Sequence, residues 1–150
     1  MRAVVQRVKN ASVVVDGEVI SEIGKGLCVL VGIKEDDTKD DAEMIRRRIL
    51  TTRFFPDPDS GKMWAKSVKD LGLEVLLVSQ FTLYGKNKGT KIDFHRAMAG
   101  HKAEEEFEHF VQSVKNDHAP ELVKEGKFGA MMDVSLVNDG PVTMEYDSAN

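Results

Sequence analysis

Polar side chains interrupt an apolar stretch of the sequence at Ser79-Gln80-Phe81-Thr82. The preceding residues are almost all apolar, so these polar groups stand at the end of a predicted buried strand. A buried hydroxyl or amide without a partner costs about 1–3 kcal/mol, so such groups either bond to neighbouring backbone or serve a site. Two interpretations follow. One is an ordinary strand end, and the other is a small polar pocket in which hydroxyls hold a substrate and a backbone N–H stabilises an oxyanion.

A rigid corner is predicted at Asn138-Asp139-Gly140-Pro141, after an alternating strand-like run that starts at Lys127. Asn, Asp and Gly tolerate positive φ, while proline fixes φ and lacks an N–H donor. Such a corner holds its peptide groups in place and suits shape discrimination on a small ligand. Many ordinary turns have the same composition, so the corner alone does not identify a site.

Standard catalytic and metal-binding motifs are absent from the sequence. There is no zinc-ligand cysteine pair, no His-Glu-x-x-His, no nucleophile elbow and no complete phosphate loop, so neither a metal nor a cofactor is predicted. Cys28 lies in an apolar run and is predicted to be an inert buried thiol. Arg7 follows core-facing strand positions, and it is either an exposed edge arginine or a donor to the carbonyls of a nearby loop.

Length and composition predict one globular domain over residues 1–150, with 41% hydrophobic and 31% charged residues. No apolar run approaches the length of a membrane span. The N-terminus already reads as a strand rather than a signal peptide, and a single cysteine fits a reducing compartment. We therefore expect a cytoplasmic protein with no membrane partner.

The charge distribution bears on nucleic-acid binding. A formal net charge of −4 argues weakly against it, because phosphate contacts need clustered Lys and Arg. One such cluster nevertheless exists after the polar motif, and its members are Lys86, Lys88, Lys91 and Arg96. Taken alone, this cluster is interpreted as a solvated face.

Hydrophobic periodicity predicts more strands than helices. Strands are expected at residues 3–8, 12–15, 18–23, 27–31, 73–83, 128–137 and 142–146, with Asp16-Gly17 as a hairpin turn and 84–90 as a loop. Helices are expected at residues 39–52, capped by Thr38, and around Ala103 to Val114. The resulting fold class is α+β, with antiparallel-rich, curved and barrel-like sheets covered by two main helices.

Taken together, these segments resemble the D-aminoacyl-tRNA deacylase (D-tyrosyl-tRNA deacylase) family over essentially the whole chain. Ser79 to Leu83 and Asn138 to Thr143 are similar to two family motifs, in the same order. The opening strand Met1 to Val8, the run Phe128 to Met132 and the late pair Asp147-Ser148 also fit. Two separated motifs of five and six residues are far more specific than one short pattern.

The resemblance implies a hydrolase that cleaves the ester between a D-amino acid, or glycine, and the terminal adenosine of tRNA. It places four residues around the ester as the catalytic set, Ser79, Gln80, Phe81 and Thr82. It assigns substrate binding and chiral selection to Gly140, Pro141, Arg7, Asn138, Phe128 and Met131. It also gives the basic cluster a role in contacting tRNA phosphates, through Lys86, Lys88, Lys91 and Arg96.

The resemblance further implies a homodimer with active sites at the interface. In the family the Gly-Pro peptide is cis and enters the partner's pocket, where an L side chain would collide with its carbonyls. Two mechanisms compete, attack by Thr82 as a nucleophile and attack by water assisted by the ribose 2′-OH, and the missing triad favours the second. A nucleic-acid-binding or scaffold protein that retains the fold is the alternative from another class.

Overall fold

The computed structural model describes residues 1–150. Its strands are β1 (Arg2–Val15), β2 (Glu18–Ile23), β3 (Gly26–Gly32), β4 (Glu74–Ser79), β5 (Lys86–Lys88), β6 (Lys91–Asp93), β7 (Val123–Glu125) and β8 (Asp133–Asp147). Its α-helices are α1 (Lys39–Thr51), α2 (Val68–Leu71) and α3 (Gly100–Asp117), and 3₁₀ turns occupy Phe81–Tyr84 and Pro120–Leu122. No helix combines the length and apolar character that a bilayer crossing requires.

Strand β1 organises a six-stranded sheet. Along one edge it pairs with β8, and along the other it pairs with β3 and then with β2, always antiparallel. Strands β3, β4 and β7 continue the sheet as parallel neighbours. The predicted α+β class with a curved, antiparallel-rich and barrel-like sheet is therefore confirmed, with a short parallel section added.

The β1–β2 hairpin and the central strand form as the sequence predicts. Asp16 and Gly17 have φ of 50° and 78°, the positive values that a two-residue primed turn requires. In β3 both faces are buried, because its alternate residues face two different apolar clusters. Cys28 is fully buried there, and burial raises the pKa of its thiol to about 11, so the thiol stays protonated at neutral pH.

Helices α1 and α3 cover one face of the sheet. Each presents one apolar stripe, which includes Ile45 and Ile49 in α1 and Phe107 and Val114 in α3. These side chains join a cluster of 22 buried residues. A second cluster of 7 buried residues lies on the other face, where β2 and the start of β8 curl over it.

Four predicted boundaries are wrong. The strands expected at 3–8 and 12–15 are one continuous strand, Arg2–Val15. The strand expected at 73–83 ends at Ser79, and a 3₁₀ turn follows. The loop expected at 84–90 contains part of the β5–β6 hairpin. The strands expected at 128–137 and 142–146 are one continuous strand that starts only at Asp133, because Gly129 has φ of 76° and the chain turns there.

Candidate active site

The polar motif changes direction abruptly at the end of β4. Ser79 still pairs with Val31 of β3, and the Gln80 N–H donates to the Val31 carbonyl at 2.7 Å. The chain then winds into the Phe81–Tyr84 3₁₀ turn, which ends with a 2.9 Å hydrogen bond from Gly85 N–H to the Thr82 carbonyl. This turn brings the side chains of the motif to the surface at the edge of the core.

Gly32 lets the 3₁₀ turn pack directly on β3. A Cβ at this position would lie 2.9 Å from Leu83 Cβ and 3.1 Å from the Gln80 carbonyl oxygen. Both contacts are closer than atoms of those types normally approach. The position of the motif therefore depends on the missing side chain of a residue 47 positions earlier than Ser79 (79 − 32 = 47).

Phe81 is the first residue of the 3₁₀ turn, and the first N–H groups of a helical turn have no partner within that turn. The Phe81 ring is 55% exposed and contacts the Phe94 ring edge-on, with centroids 5.0 Å apart. The Phe81 N–H, at the start of the turn, is suited to bind a carbonyl oxygen.

The hydroxyls of the motif do not behave as an ordinary strand end. The Thr82 hydroxyl accepts a 2.6 Å hydrogen bond from the Gln80 side-chain amide, and neither it nor the Ser79 hydroxyl bonds to neighbouring backbone. An amide nitrogen donates here and cannot take up the threonine proton. Thr82 thus has no general base, which a hydroxyl nucleophile needs.

Tyr84 anchors the far end of the motif. It is buried, and the guanidinium groups of Arg2 and Arg96 lie 4.6 and 5.8 Å from its ring centroid. Burial raises the pKa of Tyr84, so its phenol is neutral at physiological pH. Arg2 also donates to the Leu83 carbonyl at 2.8 Å and to Asp147 at 2.9 Å, which ties the 3₁₀ turn to the end of β8.

The Gly-Pro motif forms a loop that leaves the sheet in the middle of β8. Asn138 lies opposite Val8 and Thr143 lies opposite Gln6, so the four residues between them on β8 face the single residue Arg7 on β1. Four residues opposite one cannot all join the ladder, and the extra length loops outward. The Gly140–Pro141 peptide within this loop is cis.

Arg7 and Asn138 hold this loop from both sides. Arg7 is 5% exposed and donates from Nε to the Asp139 carbonyl at 3.0 Å and from Nη1 to the Phe54 carbonyl at 2.6 Å. The Asn138 side chain accepts from the Val142 N–H at 2.7 Å and donates to the Val142 carbonyl and to Thr143 Oγ1. Of the two interpretations of Arg7, the loop-bonding one is therefore observed.

Only glycine fits at the apex of the loop. Gly140 has φ of 139°, and a Cβ there would lie 2.8 Å from Val142 Cγ2 and 3.3 Å from Arg7 Nη2. Gly140 and Pro141 are both exposed, so the loop presents backbone rather than side chains to its surroundings.

The two motifs lie apart within one chain. In the register of the sheet, Ser79 lies opposite Val31, which lies opposite Ala3. Gly140 belongs to the loop opposite Arg7. Three interstrand steps lead from β4 through β3 and β1 to β8. With strands about 4.8 Å apart and residues about 3.3 Å apart, the path along the sheet is on the order of 20 Å. Within the sheet of one chain, strands β3 and β1 therefore lie between the two motifs.

The remaining predicted residues occupy separate positions. Phe128 is half-buried, with its ring centroid 6.0 Å from that of Phe107, and Met131 is 92% exposed on the following turn. The three lysines of the basic cluster are exposed on the β5–β6 hairpin, at Lys86, Lys88 and Lys91. Arg96 does not belong to that hairpin surface, because its guanidinium lies against Tyr84.

Sequence reasoning missed three positions that support the motifs. Gly32 and Phe94 pack against the 3₁₀ turn, and Trp64 lies beside Arg7 with a ring centroid 5.9 Å from the Arg7 Cζ. Gly32 lies in an apolar strand and Trp64 in a loop, and although Phe94 lies within the basic stretch, nothing in the local sequence indicates that its ring packs on Phe81. Only the three-dimensional contacts indicate their relevance.

Comparison with known proteins identifies the class of this fold and site. The family model described as D-Tyr-tRNA(Tyr) deacylase matches residues 4–147. A protein from Dictyostelium discoideum named D-aminoacyl-tRNA deacylase is 51% identical over 99% of this chain and 98% of its own length. D-aminoacyl-tRNA deacylase 1 from Homo sapiens is 53% identical over 99% of this chain and 70% of its own length.

A solved structure agrees with these relatives in fold. The protein called c-Myc DNA Unwinding Element Binding Protein is 52% identical, covers 98% of both chains and superposes with a TM-score of 0.94. The chain belongs to the D-aminoacyl-tRNA deacylase family. Its activity is accordingly that of a hydrolase, as the sequence resemblance predicts.

Replacement of Gly32 by alanine tests how far the motif depends on its packing. We expect Gly32→Ala to displace the 3₁₀ turn and to lower kcat for D-aminoacyl-tRNA by about tenfold or more, since small displacements of positioned groups cost this much. Gly24→Ala is the matched control, because its Cβ would meet only the Glu74 carboxylate at 3.5 Å. Equal kcat values for both variants, measured at matched thermal stability, would show that the close approach is unimportant.

Proposed function

We propose that the protein removes D-amino acids, and also glycine, from the terminal adenosine of mischarged tRNA and rejects L-aminoacyl esters by shape. The observation that carries the proposal is the combination of the Phe81 N–H at the start of an exposed 3₁₀ turn with a rigid backbone loop at Gly140–Pro141. The first suits the ester oxygen, and the second suits exclusion of a side chain. Neither feature is required by a protein that only binds nucleic acid.

The Phe81 N–H is the proposed oxyanion donor. Attack on the ester carbonyl moves negative charge onto its oxygen, and a preorganised backbone donor stabilises that charge without reorganisation. The Phe81–Phe94 pair shields one side of the donor, which strengthens the electrostatic interaction. Ser79 and Gln80 are proposed to line the same position, and a hydrogen bond to Thr82 fixes the orientation of the Gln80 side chain.

Water assisted by the ribose 2′-OH is the proposed nucleophile. The oxygen of water bonds to the ester carbon, the bond to the ribose 3′-oxygen breaks, and the proton reaches that leaving oxygen through the 2′-OH. The free amino acid and a tRNA with a 3′-OH are the products. The absence of a base beside Thr82 supports this route over a covalent one.

The Gly140–Pro141 loop is the proposed chirality filter. Its backbone cannot rotate aside as a side chain does, and Arg7 and Asn138 fix it by hydrogen bonds. An L side chain directed at this backbone would collide with it, whereas a D side chain points away and glycine has nothing to collide. Glycine is therefore a substrate by the same geometry that rejects L-amino acids.

The proposed functional unit is a homodimer in which the loop of one subunit completes the pocket of the other. The separation of the two motifs within one chain supports this arrangement. Exposed apolar residues on β8 offer an apolar surface for the contact, and they include Val134, Val137 and Met144. A symmetric pair would form two equivalent composite sites.

The Lys86, Lys88 and Lys91 side chains on the β5–β6 hairpin are the proposed tRNA phosphate contacts, with Phe128 and Met131 near the terminal adenosine. Three phosphate contacts imply modest affinity and little reading of sequence. Arg96 lies against Tyr84, at the end of the 3₁₀ turn rather than on the hairpin, and it is proposed as a further phosphate contact at that place. A cytoplasmic location, where charged tRNA is used, follows from the same proposal.

Hydrolysis of D-tyrosyl-, L-tyrosyl- and glycyl-tRNA by the purified protein tests the proposed specificity. We expect release of D-tyrosine and glycine, and release of L-tyrosine slower by at least about a hundredfold, because a steric clash with fixed backbone costs several kcal/mol. The measurement is the loss of labelled amino acid from tRNA in single turnover. Equal rates for the D and L esters would contradict the filter.

Thr82→Ala tests the two mechanisms. We expect this variant to keep kcat within about tenfold of the wild type, since its hydroxyl only accepts a hydrogen bond from Gln80. The companion substrate is D-aminoacyl-tRNA whose terminal adenosine lacks the 2′-OH, and we expect the wild type to hydrolyse it at least about a hundredfold more slowly. Loss of activity in a folded Thr82→Ala, together with full activity of the wild type on the deoxy substrate, would favour the covalent route.

Mixing two variants with low activity tests the composite site. Gly32→Ala impairs the pocket, and Gly140→Ala impairs the loop, whose apex has no room for a Cβ. If each site takes its pocket from one chain and its loop from the other, refolding the two variants together restores about a quarter of wild-type activity, because half of the dimers are mixed and each has one intact site. No recovery in mixtures shown to be dimeric would mean that each site is built within one chain.

DNA binding is a second candidate function, and the name of the 52% identical solved structure favours it. The exposed lysines on the β5–β6 hairpin are compatible with any nucleic-acid backbone. A gel-shift comparison of duplex DNA with aminoacylated tRNA, at matched salt, separates the candidates. Tight DNA binding without ester hydrolysis would support a binding protein that retains the fold.

A further inference from the structure

Trp64 has an unusual backbone conformation next to the Gly140–Pro141 loop. Its φ is 57°, a region that bulky side chains rarely occupy because the conformation costs free energy. Its indole is also 56% exposed, although tryptophan is usually well buried. A conformation that is unfavourable locally and does not serve core packing indicates that another contact holds it.

That contact is with Arg7. The Arg7 Cζ lies 5.9 Å from the indole centroid, within the range of a cation–π interaction. Arg7 is 5% exposed, and its bonds to the Asp139 and Phe54 carbonyls use two of its five N–H groups. The Asp139 carboxylate lies 3.6 Å from Nε and balances part of the charge. A buried positive charge needs compensation for lost hydration, and an aromatic face supplies part of it.

The backbone around Trp64 keeps the indole at this place. The N–H groups of Ala65 and Lys66 both donate to the Phe55 carbonyl at 2.9 Å, and Phe55 N–H donates back to Lys66. The neighbouring Phe54 carbonyl is the one that accepts from Arg7. One short segment therefore positions both the indole and a hydrogen-bond acceptor of the guanidinium.

We propose that Trp64 is a positioning residue for chiral selection, acting through Arg7 on the Gly140–Pro141 loop. The indole limits the access of water to the guanidinium, so water does not compete with the Asp139 carbonyl for its Nε–H. This inference rests on the proposed filter function of that loop. It assigns Trp64 no contact with the reacting ester.

The ratio of kcat/KM for L-tyrosyl-tRNA to that for D-tyrosyl-tRNA tests this role in three variants. Trp64→Leu keeps an apolar side chain without the aromatic face, and we expect it to raise the ratio about two- to fivefold, the range of one exposed cation–π contact. Trp64→Phe should restore most of the selectivity. Met63→Leu is the matched control, because Met63 is adjacent and 49% exposed, and it should leave the ratio unchanged.

A purely structural role predicts a different pattern. It would lower kcat for both substrates in Trp64→Leu and leave the ratio as in the wild type, and that result would overturn the proposal. An equal change of the L-to-D ratio in the control Met63→Leu would also overturn the proposal.

Indole fluorescence tests the contact independently of activity, because Trp64 is the single tryptophan of the chain. We expect Arg7→Lys to shift the emission of Trp64, since it replaces the planar guanidinium beside the ring. Arg2→Lys is the control, because Arg2 contacts Tyr84 instead. Unchanged emission in a folded Arg7→Lys would overturn the proposed Trp64–Arg7 contact. Failure of the wild type to discriminate D from L esters would instead refute the filter itself, so the two failures are distinguishable.

Discussion

The Gly-Pro loop depends on the hydrogen bonds that the buried guanidinium of Arg7 donates. Arg7 sits on β1 opposite four looped residues of β8 and donates to the carbonyls of Asp139 and Phe54. These two carbonyls belong to segments that are 85 residues apart in the sequence (139 − 54 = 85). Since a buried charge is costly unless it is bonded, Arg7 keeps both segments against β1 and gives the exposed loop a fixed position.

The polar motif is positioned by a different principle, which is close packing. Gly32 permits the 3₁₀ turn to lie directly on β3, and the Arg2–Tyr84 contact fixes the far end of the turn. The Phe81 N–H stands at the start of the turn, where the first donors lack partners within the turn by geometry, so no strained conformation is needed to free it from the turn's own hydrogen bonds.

Much of the architecture was predictable from local patterns. The Asp16-Gly17 hairpin, the two-sided apolar β3 and helix α1 each follow from turn chemistry or periodicity, and each is observed. The errors lie where nonlocal contacts override the local pattern. The alternation after Lys127 resembles a strand, yet no neighbouring strand pairs with it before Asp133, because Gly129 turns the chain.

The sequence by itself determined the two motifs, the absence of a catalytic triad and the family, because these depend on residue types and their order. Only the tertiary structure decided that Ser79 and Gly140 lie far apart in one chain, since strand order and register are long-range properties. It also decided the roles of Gly32 and Trp64, whose partners lie 51 and 57 positions away at Leu83 and Arg7 (83 − 32 = 51; 64 − 7 = 57). Contacts of that separation leave no trace in local periodicity, which reports only the face a residue presents.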